Sequence, residues 1–152
     1  MKRALILAMV GWLALPTAVL AGEFVVPFER HPSHNAIVVE VRVNGRSARL
    51  VVDTGAASTV LSPEITGTPP LELKVSRFSD RGPGFHGEAI WGEATLKLGK
   101  RTWYEQRVVV MNLQEVRRLY GPKIDGILGQ DLLCAFDQVV IDFKSRTLRL
   151  TH

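Results

Sequence analysis

An apolar run, Leu50-Val51-Val52, ends on Asp53, turns through Thr54-Gly55-Ala56-Ala57 and resumes as Ser58-Thr59-Val60-Leu61. Few folds accommodate such a stretch. Asp is disfavoured in strands, and a carboxylate walled by Leu and Val carries a desolvation cost unless something hydrogen-bonds it. Thr54 offers a hydroxyl, and Gly55 lets the backbone turn sharply and approach closely. A carboxylate cradled by a hydroxyl and backbone N–H groups at the end of a rigid strand is poised for acid–base work. The stretch therefore asks for a β scaffold that delivers Asp53 into a turn.

The preceding residues supply one. From Ala36 to Val43, Ile37, Val39, Val41 and Val43 share one face while Glu40 and Arg42 take the other, the period of a half-buried strand. Asn44-Gly45 is a strong hairpin signal, and Arg46 to Val52 is the returning strand that ends on Asp53. Glu23 to Glu29 reads as an extended segment that Pro27 confines to a sheet edge or interrupts. Ser62-Pro63-Glu64 opens a turn or a single helical turn. Further strands are expected over Leu71 to Phe78, Glu88 to Leu98 and Thr102 to Met111, with Val108 to Met111 buried on both sides. Asn112 is expected to cap a short helix through Leu113, Val116 and Leu119 that stops at Gly121-Pro122. Ile124 to Leu128 reads as a short strand running through Gly129 into a helix over Asp131 to Phe136. Val139 to Phe143 and Thr147 to Leu150 form a last hairpin around Lys144-Ser145-Arg146. Short strands with frequent turns over 152 residues make one all-β domain, closed or sandwich-like, with one or two short helices.

Ser79 to Gly87 lies between two strand candidates and holds Gly82, Gly84 and Gly87. It reads either as a plain exposed hairpin or as a lid over the Asp53 turn, with Phe85, His86 and Trp91 supplying contacts. His31 and His34 are three apart, but Pro32 opposes a helix that would align them and no further ligand set stands nearby, so the segment reads as an exposed turn. No metal and no cofactor is expected. Cys134 is the single Cys; its apolar neighbours Leu132, Leu133, Ala135 and Phe136 predict a buried, inert thiol. The formal net charge of +4 comes with scattered Lys and Arg and no long basic run, which argues against nucleic acid as a partner.

Residues 1–21 have the pattern of an export signal. Lys2 and Arg3 precede an apolar stretch from Ala4 to Leu15, Pro16-Thr17 breaks it, and Val19-Leu20-Ala21 suits cleavage before Gly22. The apolar run is short for a spanning helix, so an exported domain over 22–152, periplasmic or secreted and with no membrane span after cleavage, is expected. An uncleaved anchor is the alternative.

These features together resemble the retropepsin-like aspartic proteases of the single-domain bacterial kind. Asp53-Thr54-Gly55-Ala56 matches the family's Asp-Thr-Gly-Ala signature, and Ile127-Leu128-Gly129 matches its second hallmark, two apolar residues and a Gly before a short helix. The order and spacing hold from about Ala36 to Leu150, which is far more specific than Asp-Thr-Gly alone. The resemblance implies a closed acid-protease barrel lobe and an aspartic endopeptidase. Such a lobe has one Asp-Thr-Gly and works as a homodimer in which two Asp53 carboxylates meet at the two-fold axis and share a proton. It further implies that Thr54 braces the turns across the dimer, that Gly55 allows their close approach, and that Gly84, Phe85, His86 and Gly87 form a flap over a peptide or protein substrate also touched by Ala56 and Ala57. Asp125 is then a structural turn residue. In such dimers the termini interleave, which nominates Phe24-Val25-Val26 and Leu148-Arg149-Leu150 as interface strands; the alternative is that they close the domain's own sheet.

One departure stands out. Relatives often carry Ser or Asp after Asp-Thr-Gly-Ala, where this chain has Ala57, with Ser58 one later; this bears on substrate contacts rather than on the carboxylate pair. The competing functional readings are an exported, non-catalytic peptide-binding or assembly module with the same fold, and a lobe that pairs with a different protein.

Overall fold

The computed structural model describes residues 22–32, 34–67 and 89–152. The expected strand over Leu71 to Phe78, the Gly84–Gly87 loop and residues 1–21 lie outside the described residues. The hairpin expected around Asn44-Gly45 is present: β2 (Ile37–Val43) and β3 (Arg46–Val52) pair in antiparallel register from Val38↔Val51 to Val43↔Arg46. Asn44 (φ 49°) and Gly45 (φ 82°) are both left-handed, as the tight primed turn requires. Asn44 also ties the turn to the next hairpin, because its Oδ1 accepts the Thr95 N–H at 2.9 Å.

The strands close on themselves. β3 runs parallel to β7 (Gly126–Leu128), which pairs antiparallel with β4 (Val60–Leu61); β4 runs parallel to β6 (Arg101–Met111), β6 pairs with β5 (Ala89–Leu98), and β5 returns to β2 through Arg42↔Lys97 and Val43↔Leu96. With the β2–β3 ladder this is a closed barrel of six strands. Closure removes the free sheet edges and wraps an interior of Val39, Val41, Val43, Leu50, Leu61, Leu96, Leu98, Val108 and Leu128. Among the described residues three short helices decorate it, one more than the sequence suggested: α1 (Pro63–Thr66), α2 (Gln114–Tyr120) and α3 (Gln130–Leu133).

A second, smaller core explains where simple alternation fails. Val38, Val51 and Ile127 point outward from the barrel yet are buried, because α2 and its flanks cover them with Leu113, Val116 and Ile124. Asn112 is not the helix cap; Leu113 takes that place, and the Asn112 Oδ1 accepts the Gln114 N–H at 2.9 Å as a local turn. Leu119 is not on the packed face either, and is 54% exposed. His31 and His34 stack on one another and edge against Tyr120 of α2, and among the described residues no cluster of three metal-ligating groups exists. Arg49 of β3 forks bidentately onto Glu29, both contacts at 2.8 Å, and its hydrogen bonds hold the Glu29 carboxyl below the usual carboxylate range.

The terminal strands form a flap of sheet beside the barrel. β1 (Glu23–Arg30) pairs with β9 (Thr147–Thr151) from Glu23 to Pro27, then changes partner and pairs with β2 from Phe28 to Arg30. Pro27, which lacks an N–H, stands at the changeover, so it interrupts the strand's pairing rather than marking a sheet edge. β9 continues to β8 (Gln138–Asp142). Phe24-Val25-Val26 and Leu148-Arg149-Leu150 therefore pair with each other within one chain. β9, flanked on both sides, is the middle strand, and Leu148 and Leu150 are fully buried. Deleting residues 148–152 is expected to abolish folding, seen as loss of the cooperative transition by circular dichroism; Leu148→Ala alone is expected to cost about 2–5 kcal/mol in urea unfolding. A truncated chain that folds fully as a monomer would contradict this placement.

Candidate active site

β3 delivers Asp53 as its first residue beyond the ladder. The Asp53 N–H still donates to the Leu128 carbonyl of β7 at 3.0 Å, so the strand register carries through to the carboxylate's own backbone. The chain then turns. Ala56 N–H donates to the Asp53 carbonyl at 3.3 Å, and the Gly55 N–H donates to Asp53 Oδ1 at 2.8 Å. A Cβ on Gly55 would stand 3.1 Å from that same Oδ1, which is the close approach the glycine permits. Of the cradle expected from sequence, the backbone N–H is in place, whereas no hydrogen bond from the Thr54 hydroxyl to Asp53 joins it among the described residues. Asp53, Thr54 and Gly55 are all exposed.

The loop is clasped to the segment after β7. Thr59, fully buried, donates its hydroxyl to Asp131 Oδ1 at 2.7 Å, and its N–H donates to Asp131 Oδ2 at 2.9 Å. The Thr59 hydroxyl oxygen in turn accepts the Gly129 N–H at 3.1 Å. Asp131 Oδ1 also accepts the Leu132 N–H at 3.0 Å, so this partly buried carboxylate is satisfied by two donors from Thr59 and one from α3. Gln130 closes the rest: its N–H donates to the Ala56 carbonyl at 2.8 Å and its side-chain amide to the Thr54 carbonyl. Gly129 has no room for a side chain, since a Cβ there would lie 2.6 Å from the Ser58 carbonyl carbon and 2.7 Å from its oxygen. Thr59, Gln130 and Asp131 are the supporting residues that sequence reasoning passed over. The signal was a Gln-Asp pair directly after Leu128-Gly129, opposite a hydroxyl set in an apolar run.

Asp125, the rival carboxylate, has the structural role expected of it. Its Oδ2 accepts the Arg49 N–H at 3.0 Å and its own N–H donates to the Arg49 carbonyl at 2.9 Å, extending the β3–β7 pairing. Cys134 departs from expectation. It is exposed at the C-terminal end of α3, because Leu132, Leu133 and Phe136 take the inward positions. That helix is also shorter than the sequence suggested, Gln130–Leu133 rather than Asp131 to Phe136.

Beside Asp53 opens a cleft of about 340 Å³, lined by Asp53, Gly55, Ala56, Ala57, Ser58, Val60, Ala89, Val109, Met111 and Ile127. Ala56 and Ala57, the expected substrate contacts, both line this cleft; Gly84, Phe85, His86 and Gly87 lie outside the described residues. The lining is apolar apart from Ser58 and a single carboxylate, Asp53. Such a site suits an apolar side chain held beside a carboxylate.

A family model described as aspartyl protease matches residues 39–132, and the chain belongs to that family. The fold is retropepsin-like. A retropepsin-like aspartic protease from Rickettsia conorii superposes with a TM-score of 0.59 at 20% identity, covering 87% of this chain and 90% of that one. EIAV protease, solved with an inhibitor, gives 0.50 at 20% identity over 68% of this chain and 90% of that one. The retroviral protease-like domain of Ddi1 from Leishmania major gives 0.50 at 19% identity, covering 76% and 87%. No curated protein matches.

The clasp makes two substitutions informative. Thr59→Val keeps the shape but strands the Gly129 N–H and removes a donor from Asp131, with an expected loss of about 1–3 kcal/mol. Gly129→Ala forces a methyl onto the Ser58 backbone, with an expected loss of at least about 1–3 kcal/mol. Urea denaturation checks both, and wild-type midpoints for either would show that the clasp does not hold the loop.

Proposed function

We propose that the protein is an aspartic endopeptidase that hydrolyses peptide bonds between two Asp53 carboxylates, one from each subunit of a homodimer. One observation carries the reading. Asp53 is exposed at the side of an apolar cleft on a tightly held loop, and it is the one carboxylate among the lining residues. A single carboxylate cannot accept a proton from water and donate one to the substrate carbonyl at once, whereas an ionised and a protonated carboxylate together can. A two-fold axis beside the loop brings the two copies together, and like charges so close retain one proton between them, as is general for aspartic protease pairs.

In that arrangement the ionised Asp53 takes a proton from water as the water oxygen bonds to the carbonyl carbon. The protonated Asp53 of the partner subunit gives its proton to the carbonyl oxygen, producing a tetrahedral diol. Collapse of the diol breaks the C–N bond, with a proton passing to the leaving nitrogen. Thr54 braces the paired loops across the axis, Gly55 permits their approach, and Ala56 and Ala57 flank the substrate backbone. The flap is assigned to Gly84, Phe85, His86 and Gly87.

Asp53→Asn is expected to lower peptide cleavage at acidic pH by about 10²–10⁴-fold with an unchanged circular dichroism spectrum, and sedimentation is expected to find a dimer at micromolar concentration. Equal cleavage by parent and variant would remove Asp53 from the chemistry. Peptide binding without cleavage by either would favour the non-catalytic module.

Export belongs to the same proposal, on the support of Lys2-Arg3, the apolar Ala4–Leu15 run and Val19-Leu20-Ala21 before Gly22. Among the described residues no helix is long and apolar enough to cross a membrane. N-terminal sequencing of protein recovered from the periplasm or medium is expected to begin at Gly22; a chain beginning at Met1 would instead indicate a retained anchor.

A further inference from the structure

The β5–β6 ladder continues past the cleft. The cross-strand rows Ala89↔Met111, Trp91↔Val109 and Glu93↔Arg107 project to one side, because side chains alternate along a strand. The intervening Val108, Val110 and Ala94 face the barrel core. Ala89, Met111 and Val109 line the cleft, and each row lies about 7 Å beyond the last. The surface that begins beside Asp53 therefore leads outward to Trp91 and then to Arg107.

The Arg107 guanidinium carbon lies 4.0 Å from the centroid of the Trp91 ring. Glu93 is its direct cross-strand neighbour, yet no ion pair joins the two among the described residues. At that distance the guanidinium carbon covers the indole, an attraction of cation for ring face. The guanidinium N–H groups form the fork that matches a carboxylate, and Arg107 is exposed. Holding the side chain against the indole removes much of the rotamer freedom that an exposed Arg would lose on binding. An apolar cleft thus ends in a positioned cation.

We propose that Arg107, set over the Trp91 ring at the outer end of the cleft, selects a carboxylate on the bound peptide several residues from the position held beside Asp53. This deepens the peptide-cleaving reading and rests on its assignment of the cleft as the peptide site. The chemistry is a carboxylate, supplied either by an Asp or Glu side chain or by a free peptide C-terminus. Glu93 opposes it by repulsion and limits its strength.

The test uses capped decapeptides with a central Leu-Phe pair and one Glu or Gln moved through the outer positions, each made with an amidated and a free C-terminus. Binding to Asp53→Asn is followed by fluorescence anisotropy, and cleavage by the wild type is followed separately. At one position Glu is expected to exceed Gln by about three- to tenfold, the scale of one partly screened charge-assisted contact, and 0.5 M salt is expected to erase most of the difference. Arg107→Met, placed in both backgrounds, should bring the ratio to about one, Arg107→Lys should retain part of it, and Glu93→Gln should raise it. If the preference follows the free C-terminus instead, the carboxylate source is the chain end.

A Glu-to-Gln ratio of one at every position with no C-terminal effect, or a ratio that survives Arg107→Met, overturns the proposal. Cleavage without the preference leaves the protease reading standing and sinks this one. Arg107-dependent binding without cleavage does the reverse, and failure to bind any peptide sinks both.

Discussion

The Asp53 loop depends on one buried hydroxyl. Thr59 is fully enclosed, and it donates to one Asp131 oxygen while accepting the Gly129 N–H. Its position makes both bonds cooperative with the fold. A hydroxyl with no water to turn to is held to its partners by the cost of leaving any of them unpaired. The clasp joins segments about seventy residues apart in sequence, consistent with the separations across these bonds. It therefore fixes the loop only when the barrel has closed.

That dependence explains why the two hallmark stretches behave as one unit. β7 lies between β3 and β4, parallel to one and antiparallel to the other, so the strand before Asp53 and the strand after the turn are spaced by the same three residues. Gly126 opens those three residues and Gly129 follows them, and a Cβ on either would lie within 2.6 Å of a backbone atom of the Ser58–Leu61 segment. The scaffold is rigid, and what it presents is open: an exposed carboxylate beside an apolar cleft, on one side only. Rigid placement of a single exposed carboxylate is the physical basis for the proposal of a second copy.

Much of this was legible from residue order. The β2–β3 hairpin followed from period-two alternation and Asn44-Gly45, and the strand–Gly–helix at Gly126–Leu133 from its apolar run. The misses have physical causes. Val38 breaks the alternation because α2 covers the outside of the barrel there, a tertiary fact invisible to a two-residue period. Cys134 sits among apolar residues in sequence, but a helix of one turn buries only some of them. Leu119 reads as a packed position at i+3 from Val116, yet the packed side of α2 runs through Val116 and Tyr120 and leaves Leu119 off it. Pro27 reads either as an edge marker or as an interruption, and the second holds, but the change of partner from β9 to β2 was not deducible without knowing that both strands flank β1. The Thr59–Asp131 bond eluded sequence reasoning for a related reason: hydrogen-bond partners so far apart have no local signature.

The most direct measurement of the central claim is subunit mixing. Wild type at fixed concentration is titrated with Asp53→Asn, subunits are allowed to exchange, and peptide cleavage is recorded. If each active site needs Asp53 from both chains, activity falls as the variant is added, and in an equal mixture roughly one dimer in four retains two intact carboxylates. If activity follows the wild-type concentration alone, a single Asp53 suffices and the two-carboxylate account is wrong.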